Sequence, residues 1–573
     1  MTVGDSSDER ALATMLAASA DAELTELFAA RRLPLPNPAH DFFDVAAALL
    51  AENMVDRALT RLPADLLAAL SGDATPAQTA ALAALALVDA DGRPFDVVTA
   101  RLRTLRAGAA VAAPAHAPAP VPADDRATAA AGERAFSAVY SLSDVLVAAR
   151  SAPLPRTGAG AVSVAERRRL IEDGAVADPE ELDDLVALAA DADLLEGIDR
   201  SWRTTVETTA WLGQTTSIRW SIVAHGFVSR LPAGLRLPGG GFLPSEGWAG
   251  AYPLDSEWPA RAAVLARRAR RWGILAEPGV EPAWTTGLRT TGVPDLDALG
   301  TRLPPEVDRI YLQADLTAIS PGPLAPRAEQ RLRSMAVRET RAQASTYRFT
   351  TESLTAAVSA GESAQSLRSF LSELSLTGIP QPLDYLIETT ASRHGLVRVS
   401  SDGETGRTVV RSSDPQVLAT IAVDQALRPV GLIPHEGALV SRAPRDAVYW
   451  SLIDARYPVV AVDGDDEVER LSRRAANVTT PEADAAEQYA RLVEALRATH
   501  GADADAAWLE RELEQAVRAR SVIEVEVSLP NGTSRTFLLE ATGIGGGRLR
   551  GLDRGADVER TLPLSSIASV RHP

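Results

Sequence analysis

The spacing of apolar residues changes along this chain of 573 residues, and the change limits the folds that it can adopt. Residues 1–107 carry apolar side chains at intervals near 3.6, which is typical of amphipathic helices. Residues 520–573 instead alternate apolar and polar positions, which is typical of half-buried strands. A chain of this length is expected to form roughly three to five domains. The sequence therefore predicts a multidomain protein, mainly α with α/β parts.

Composition sets the expected domain boundaries. Residues 108–130 are rich in alanine and proline, cannot supply a core, and are expected to form an extended or disordered linker. The expected folded parts are a helical domain at 1–107, a helical, winged-helix-like domain at 131–300, an α/β domain at 301–425, an α/β appendage with helices at 426–519, and a small β-barrel at 520–573.

The chain contains no lysine, because all 58 of its Lys and Arg residues are arginine. A P-loop requires a lysine at the β- and γ-phosphates of its nucleotide, and a protein kinase requires a strand lysine. Pyridoxal and Schiff-base enzymes require an amine. The sequence therefore excludes a self-sufficient ATP-driven motor of the P-loop kind, and it disfavours the nucleases that place a lysine beside their acidic pair.

Other catalytic and metal-binding classes find no support in the sequence. There is no cysteine, and the seven histidines form no HExxH motif, so no metal site and no cofactor is predicted. No GxSxG motif is present, and we expect a protein that is not an enzyme. Neither a signal peptide nor a run of about 18 uncharged apolar residues is found. These observations predict a cytoplasmic or nucleoid-associated protein without membrane contact.

Two arginine-rich segments lie in the predicted winged-helix-like domain. The first begins a helix after an S-x-x-E capping box, so its arginines could meet a phosphate backbone. The second lies beside Trp272, and arginine next to an aromatic ring suits phosphate and base contacts. The alternative for both is a solvated helix face, or pairing with the chain's own carboxylates, since the net charge is -18. The candidate nucleic-acid-binding residues are Arg167, Arg168, Arg169, Arg267, Arg268, Arg270 and Arg271.

Residues 309–399 are the most specific stretch of the chain. Local signals predict the order strand, three helices, strand, with a strand at 309–320, a helix over 326–343 and a helix cap at Thr350 or Thr351. Four arginines of that helix are 4, 7 and 3 residues apart, which would place them along one helical face that could track phosphates. The alternative is a solvated face neutralised by neighbouring glutamates. The four candidate residues are Arg327, Arg331, Arg338 and Arg341.

The same stretch resembles the N-terminal domain that precedes the motor in XPB-type DNA repair helicases. That family has a Y-x-L-T-x-x-S-L-x-A-A-V-S-x-G element, then L-S-x-T-G-x-P and G-x-V-R elements. This chain has Phe349 where the family has leucine. The matching positions are Tyr347, Thr350, Ser353, Leu354, Ala356, Ala357, Val358, Ser359, Gly361, Leu374, Ser375, Thr377, Gly378, Pro380, Gly395, Val397 and Arg398.

The resemblance implies DNA engagement and damage recognition, with which this domain is associated in the family. The two ATPase lobes that follow it there are absent from this sequence, and a lysine-free chain could not build them. The whole layout is more closely similar to XPB-like, helicase-associated proteins of actinobacteria that keep the domain without a motor. It implies DNA and a separate XPB-type helicase as partners.

The C-terminal strands are similar to the WYL domain, a small SH3-like barrel of bacterial regulators. Asn531-Gly532 predicts the hairpin turn, and Leu564 and Ile567 fit the family's R-x-x-x-L-x-x-I ending. The tripeptide that gives the family its name is missing. The resemblance implies sensing of nucleic acid or a small ligand, and the alternative is a barrel for packing or oligomerisation. The candidate ligand-binding residues are Arg548, Arg550 and Arg560.

Three functions remain open at the level of sequence. The first is a non-catalytic accessory protein that binds DNA, a helicase or both in DNA repair or nucleoid processes. The second is a ligand-responsive, DNA-binding transcriptional regulator in which the C-terminal barrel is the sensor. The third is a metal-dependent nuclease that partners a helicase, which the missing lysine weakens.

Overall fold

A computed structural model of the chain divides it into two compact units. The first unit comprises Met1–His116, Ala249–Ala260 and Thr479–Pro573, and the second comprises Ala117–Trp248 and Arg261–Val478. Several short segments and two longer ones are left undescribed. The structure describes residues 3–35, 39–108, 119–340, 344–393, 396–403, 406–455, 457–462, 468–469, 485–499, 509, 513–514, 516–518, 520–528 and 533–571.

The described N-terminal residues of the first unit form helices, as their apolar spacing predicts. Their leucines and phenylalanines bury against one another in a single core. Arg31 is buried beside this core, where it donates hydrogen bonds to the backbone carbonyls of Leu49 and Leu85. Burial lowers the pKa of Arg31 to about 10. The helices are α1 (Val3–Ala18), α2 (Asp21–Arg31), α3 (Phe42–Leu50), α4 (Glu52–Leu59), α5 (Ala64–Ala69), α6 (Pro76–Ala83) and α7 (Asp96–Gly108).

A long helix begins inside the segment that the sequence predicts to be a linker. A short strand, β1 (Val121–Pro122), precedes α8 (Asp125–Ser151). The Asp124 carboxylate caps α8 by accepting a hydrogen bond from a backbone N–H of its first turn. The linker prediction is therefore wrong for residues 125–130, because a good cap and an alanine-rich sequence favour a helix once its small side chains can be buried. Residues 109–118 lie outside the described part.

After α8, the second unit has the order strand, helix, helix, hairpin. The elements are β2 (Leu154–Pro155), α9 (Val164–Glu172), α10 (Pro179–Asp191), β3 (Leu195–Ile198) and β4 (Ser201–Thr204). The three strands form an antiparallel sheet in the order β2-β4-β3. Helix α10 packs against α8, with leucines on its buried face.

Helices and buried tryptophans make up the next part of the second unit. Trp220 and Trp272 are fully buried, and each donates its indole N–H to the backbone carbonyl of the other. The elements are α11 (Glu207–Leu212), α12 (Thr216–Arg230), α13 (Trp258–Arg271), β5 (Val280–Glu281), α14 (Ala283–Thr291) and α15 (Leu296–Gly300). Strand β5 pairs in parallel with β1, which ties this part to the start of α8.

A four-stranded antiparallel sheet with helices follows, in the order β6-β7-β9-β8. Its elements are β6 (Tyr311–Leu312), β7 (Thr317–Ser320), α16 (Pro326–Arg333), β8 (Val337–Thr340), β9 (Ser345–Arg348), α17 (Thr351–Ser359), α18 (Ala364–Leu374) and α19 (Gln381–Arg393). The predicted single strand at 309–320 is a hairpin, because Leu316 turns the chain at a φ of 66°. The predicted cap of α17 is confirmed, since the Thr350 hydroxyl accepts from the Ser353 backbone N–H.

A six-stranded sheet with its own core completes the second unit. It runs β12-β13-β11-β10-β14-β15, and its one parallel pair is β10 with β14. Strands β10 and β11 pair with later strands, so the predicted boundary after residue 425 cuts through one folded body. The elements are β10 (Val397–Ser401), β11 (Thr408–Ser412), α20 (Pro415–Val423), β12 (Ile433–His435), β13 (Ala438–Ser441), α21 (Arg445–Asp454), β14 (Val459–Val462) and β15 (Val468–Glu469).

The C-terminal segments return to the first unit. Helix α22 (Ala485–Thr499) packs against α2 and completes the N-terminal core with Tyr489 and Val493. The last strands form an antiparallel sheet in the order β19-β18-β17-β16-β20. They are β16 (Val522–Ser528), β17 (Ser534–Gly545), β18 (Arg548–Asp553), β19 (Val558–Pro563) and β20 (Ile567–Arg571).

The predicted hairpin is confirmed by the antiparallel pairing of β16 with β17, although its Asn531-Gly532 turn lies outside the described residues. The predicted barrel differs from the structure. No pairing between β19 and β20 is seen in the described part, so this sheet is open there. Leu539 and Val525 are buried on one face of the sheet beneath residues that precede it.

Candidate nucleic-acid interface

Most of the arginines in α13 face a single buried carboxylate. The side chain of Asp184 on α10 is fully buried and accepts hydrogen bonds from Arg267, at 2.7 and 2.9 Å, and from Arg271, at 3.0 Å. The guanidinium of Arg268 lies 3.4 Å from the same carboxylate. Glu180 adds a second contact to Arg267, at 2.8 Å. Three of the four arginines predicted to bind nucleic acid in this segment are therefore neutralised by this chain.

The aromatic ring of Trp272 cannot stack on a base. It is fully buried, and its N–H is bound to the Trp220 carbonyl. The prediction that Trp272 and its neighbouring arginines form one contact surface is therefore wrong. Trp272 directly follows α13 and turns inward, whereas Arg267, Arg268 and Arg271 point toward Asp184 of α10.

The arginines of α9 divide in the same way. Arg167 binds Asp183 at 2.6 Å, and Arg169 pairs with Glu166 and with Asp173. Arg168 is exposed and has no ion pair within the described residues. Ser163 of the predicted capping box caps α9, because its hydroxyl accepts a hydrogen bond from the Glu166 backbone N–H. Only one arginine of this segment thus keeps an uncompensated charge.

The helical face predicted from Arg327 to Arg341 is not formed. Helix α16 ends at Arg333, and Arg338 lies on β8, where its register partner is Tyr347. The run of apolar residues that suggested one long helix is a buried turn between the helix and the strand. Arg341 lies outside the described residues.

The side chains of the three described arginines also have separate environments. Arg338 is buried between Asp144 and Glu329, to which it donates hydrogen bonds. Burial alone would lower the pKa of Arg338, but these two carboxylates raise it. Arg331 donates to Glu362 at 3.0 Å, which lowers the pKa of that carboxyl. Arg327 remains exposed.

A cavity beside α13 brings together arginines that are far apart in sequence. Arg134 on α8 donates to the backbone carbonyls of Arg270, at 3.0 Å, and Ala276, at 2.8 Å. The cavity has a volume of about 230 Å³, and Arg267, Arg271 and Glu181 also line it; the Glu181 carboxylate is already bound by the Ser141 hydroxyl and the Ala177 backbone N–H. Burial, followed by the charge of Arg270, lowers the pKa of Arg134. The side chain of Arg270 is exposed and has no ion pair in the described part.

Arg134 is a candidate that the sequence did not reveal. It lies 136 residues before Arg270, and no local motif links the two. Two guanidinium groups that repel each other at the edge of a cavity attract an anion, and arginine suits phosphate oxygens. This pair, rather than the whole arginine cluster of α13, is the candidate nucleic-acid contact.

The candidate arginines of the C-terminal sheet are not equivalent either. Arg560 binds Asp553 and lies over Phe537 at 4.7 Å, and its hydrogen bond lowers the pKa of Asp553. Arg548 and Arg550 are exposed on β18 without an ion pair in the described residues. Their register partners on β17 are Gly545 and Gly543, so no neighbouring side chain on that strand covers them.

The described residues provide neither a metal site nor a membrane span. They contain no group of three or more His, Cys, Asp or Glu residues that could hold a metal ion. None of the described helices is long and apolar enough to cross a bilayer.

Residues 310–435 match the family described as helicase conserved C-terminal domain. The match begins at β6 and ends at β12, so it contains the whole four-stranded sheet β6-β7-β9-β8 and part of the six-stranded sheet. This segment is therefore helicase-related. No curated protein matches the chain.

Proposed function

We propose that this protein is a non-catalytic accessory factor that binds DNA and acts beside a separate XPB-type helicase in DNA repair or nucleoid processes. The observation that carries the proposal is a helicase-related segment at 310–435 in a chain without lysine. A P-loop motor needs that lysine, so the segment would serve a motor that another protein supplies. Its XPB-like character rests on the motif resemblance alone.

In this proposal, Arg134 and Arg270 contact the DNA backbone. Their guanidinium groups line one cavity, and Arg270 has solvent access. Contacts to phosphate position a protein without reading sequence, so binding to forked or damaged DNA would show little sequence preference. Because most of the described candidate arginines of α9, α13, α16 and β8 are paired with carboxylates, we expect weak binding with a shallow dependence on salt.

Changing Arg270→Gln tests this contact. Each phosphate that a cation neutralises contributes about 0.9 to the slope of log affinity against log salt. The variant is therefore expected to bind forked DNA more weakly and to lose about 0.9 of that slope. Fluorescence anisotropy titrations at several salt concentrations measure both quantities.

The matched control is Arg368→Gln on α18. Arg368 is a partly exposed arginine that, unlike Arg270, is bound to Asp384, at 2.6 Å, and to Glu388, at 2.7 Å. The Arg368→Gln variant should leave the slope unchanged. If Arg270→Gln and the wild type give equal slopes, Arg270 does not contact phosphate.

The order of elements from α8 to β4 supports a winged helix as a finer part of the proposal. A winged helix that reads DNA contains a helix-turn-helix, here α9 and α10, and places the second helix of that pair in the major groove. In this chain that helix is α10, and its carboxylates Glu180 and Asp184 bind arginines of α13. The module would therefore act through another surface, as a phosphate contact or as a contact to a protein partner.

A ligand-responsive regulator is the second candidate function. It is favoured by the exposed, unpaired Arg548 and Arg550 on the described part of the C-terminal sheet. High-affinity binding to one operator sequence that changes with a ligand would support it. Binding without sequence preference would support the accessory factor instead.

Isolation from the native host tests the partner. The accessory role predicts that a helicase co-purifies with the full chain and that its DNA unwinding changes when the chain is added. Absence of both a helicase and DNA binding would refute the role. Mg²⁺-dependent DNA cleavage that persists through purification would refute the non-catalytic part alone.

A further inference from the structure

A second cavity in the second unit lies among α8, α12 and α16. Its volume is about 170 Å³, and it shares no lining residue with the cavity of Arg134 and Arg270. Three arginines and one glutamate line it, with serine hydroxyls and an amide. Ser151 and Ser334 are exposed, which opens the cavity to solvent on their side.

The carboxylate in this lining is already bound. Glu329 is buried and accepts a hydrogen bond from Arg338 at 3.0 Å. Arg333 in turn contacts Asp144 at 2.7 Å. The charges of Glu329 and Arg333 are thus balanced by partners, which leaves the positive charge of the buried Arg219 in the lining.

Arg219 is the buried source of that positive charge. Its side chain is 1% exposed and lies over the ring of Trp211 at 5.4 Å. It donates to the Ser143 hydroxyl at 3.2 Å and to the Leu212 carbonyl, both of which are uncharged. Its Nε has no hydrogen-bond acceptor among the described residues. Burial lowers the pKa of Arg219, as expected for a cation without a contacting counter-ion.

A second unsatisfied donor lines the same cavity. The Nε2 atom of Gln330 is buried and has no acceptor in the described part of the chain. Buried donors are normally satisfied, and exceptions mark strain, function or a missing water or ion. Arg219 and Gln330 come from different helices, so one local distortion does not explain both.

We propose that this cavity binds a small oxyanion of the phosphate class. An oxyanion offers several acceptor oxygens to Arg219 and Gln330 and compensates the positive charge of that arginine. The volume holds on the order of ten water-sized spheres, which is ample for a tetrahedral ion but not for a nucleic-acid strand. The site is independent of the DNA contact proposed above.

Titration of the full chain with inorganic phosphate tests the proposal. Phosphate is expected to raise the thermal midpoint saturably beyond an equal ionic strength of chloride, because a ligand of the folded state stabilises it. Calorimetric titration should show binding that is weaker by about tenfold or more in Arg219→Gln, which loses an ionised donor. The control Arg327→Gln changes an exposed arginine of α16 and should bind phosphate like the wild type.

A second variant decides the matter if Arg219→Gln fails to fold. Gln330→Glu places a carboxylate in the cavity, so it should raise the thermal midpoint without phosphate and abolish the response to phosphate. The proposal is overturned if phosphate and chloride act alike on the wild type. It is equally overturned if Gln330→Glu keeps the full response to phosphate.

Discussion

The carboxylate of Asp184 lies against several guanidinium groups at once. Its fully buried side chain meets Arg267, Arg268 and Arg271 from one turn of α13. A buried carboxylate alone would be costly, and three clustered arginines would repel one another. The arrangement is stable only because the carboxylates offset the charges of the arginines. Glu180 assists Asp184 by contacting two of the three guanidinium groups.

Changing Asp184→Ala should therefore destabilise the second unit strongly. Removal of one partner from a buried ion pair costs about 3–5 kcal/mol, since the remaining charge is left uncompensated. Urea unfolding followed by tryptophan fluorescence measures the change in the free energy of unfolding.

The adjacent Asp183→Ala is the control for this prediction. Asp183 is 41% exposed and pairs with Arg167, so its loss should cost at most about 1 kcal/mol. Equal destabilisation by the two variants would contradict the role given to Asp184.

The fate of these arginines shows what sequence can reveal at the scale of residues. The clusters were visible, and so was the possibility that the acidic chain neutralises them. Which arginines are neutralised was not visible, because Asp184 lies 83 residues before Arg267. Charge runs identify candidates, but long-range partners decide that Arg270 is exposed and its neighbours are paired.

Strand β8 shows that apolar residues at helical spacing can predict the wrong type of element. Leucine, methionine and alanine continue at helical spacing past Arg333, yet the chain turns and Val337–Thr340 pairs with β9. Sheet pairing overrides local helix propensity at this point, because the backbone N–H and C=O groups at the edge of β9 need hydrogen-bond partners and the β-branched Val337 favours a strand. Local signals did predict the cap of α17 and the hairpin of β16 and β17, because both need contacts of short range only.

Alanine substitutions distinguish the strand from the predicted helix. Arg338→Ala should cost about 3–5 kcal/mol of unfolding free energy, because it removes the arginine that pairs with the buried Glu329 and one of the two that pair with Asp144. Arg327→Ala should cost less than about 0.5 kcal/mol, because that side chain is exposed. One solvated helical face would give two small and similar values in denaturant unfolding.

The first unit is built mainly from segments that lie at opposite ends of the chain. Tyr489 donates its hydroxyl to the Leu33 carbonyl at 2.8 Å, and Val493 is 1% exposed in the core that α1 to α7 form. The predicted division into a domain at 1–107 and an appendage at 426–519 therefore separates residues that share one core. Amphipathic helices do not reveal their partners in sequence, so α22 could not be placed by its pattern.

Val493→Asp tests whether the N-terminal core depends on α22. A carboxylate in the apolar core is expected to cost about 3 kcal/mol or more, and residues 1–107 should become sensitive to protease. Limited proteolysis with mass spectrometry locates the cleavage.

Arg491→Asp introduces the same residue at a position of α22 that is 69% exposed. It should leave residues 1–107 protected. Protection that survives Val493→Asp would show that α22 is dispensable for the N-terminal core.

The hydrogen bond between Tyr489 and Leu33 spans 456 residues, which has a consequence for synthesis on the ribosome. At about 5–20 residues per second, α22 emerges roughly 25–90 s after the helices that it covers. During that interval the nascent N-terminal segment displays an incomplete apolar face. We expect this segment to associate with chaperones until translation is nearly finished, whereas the second unit can complete its core first.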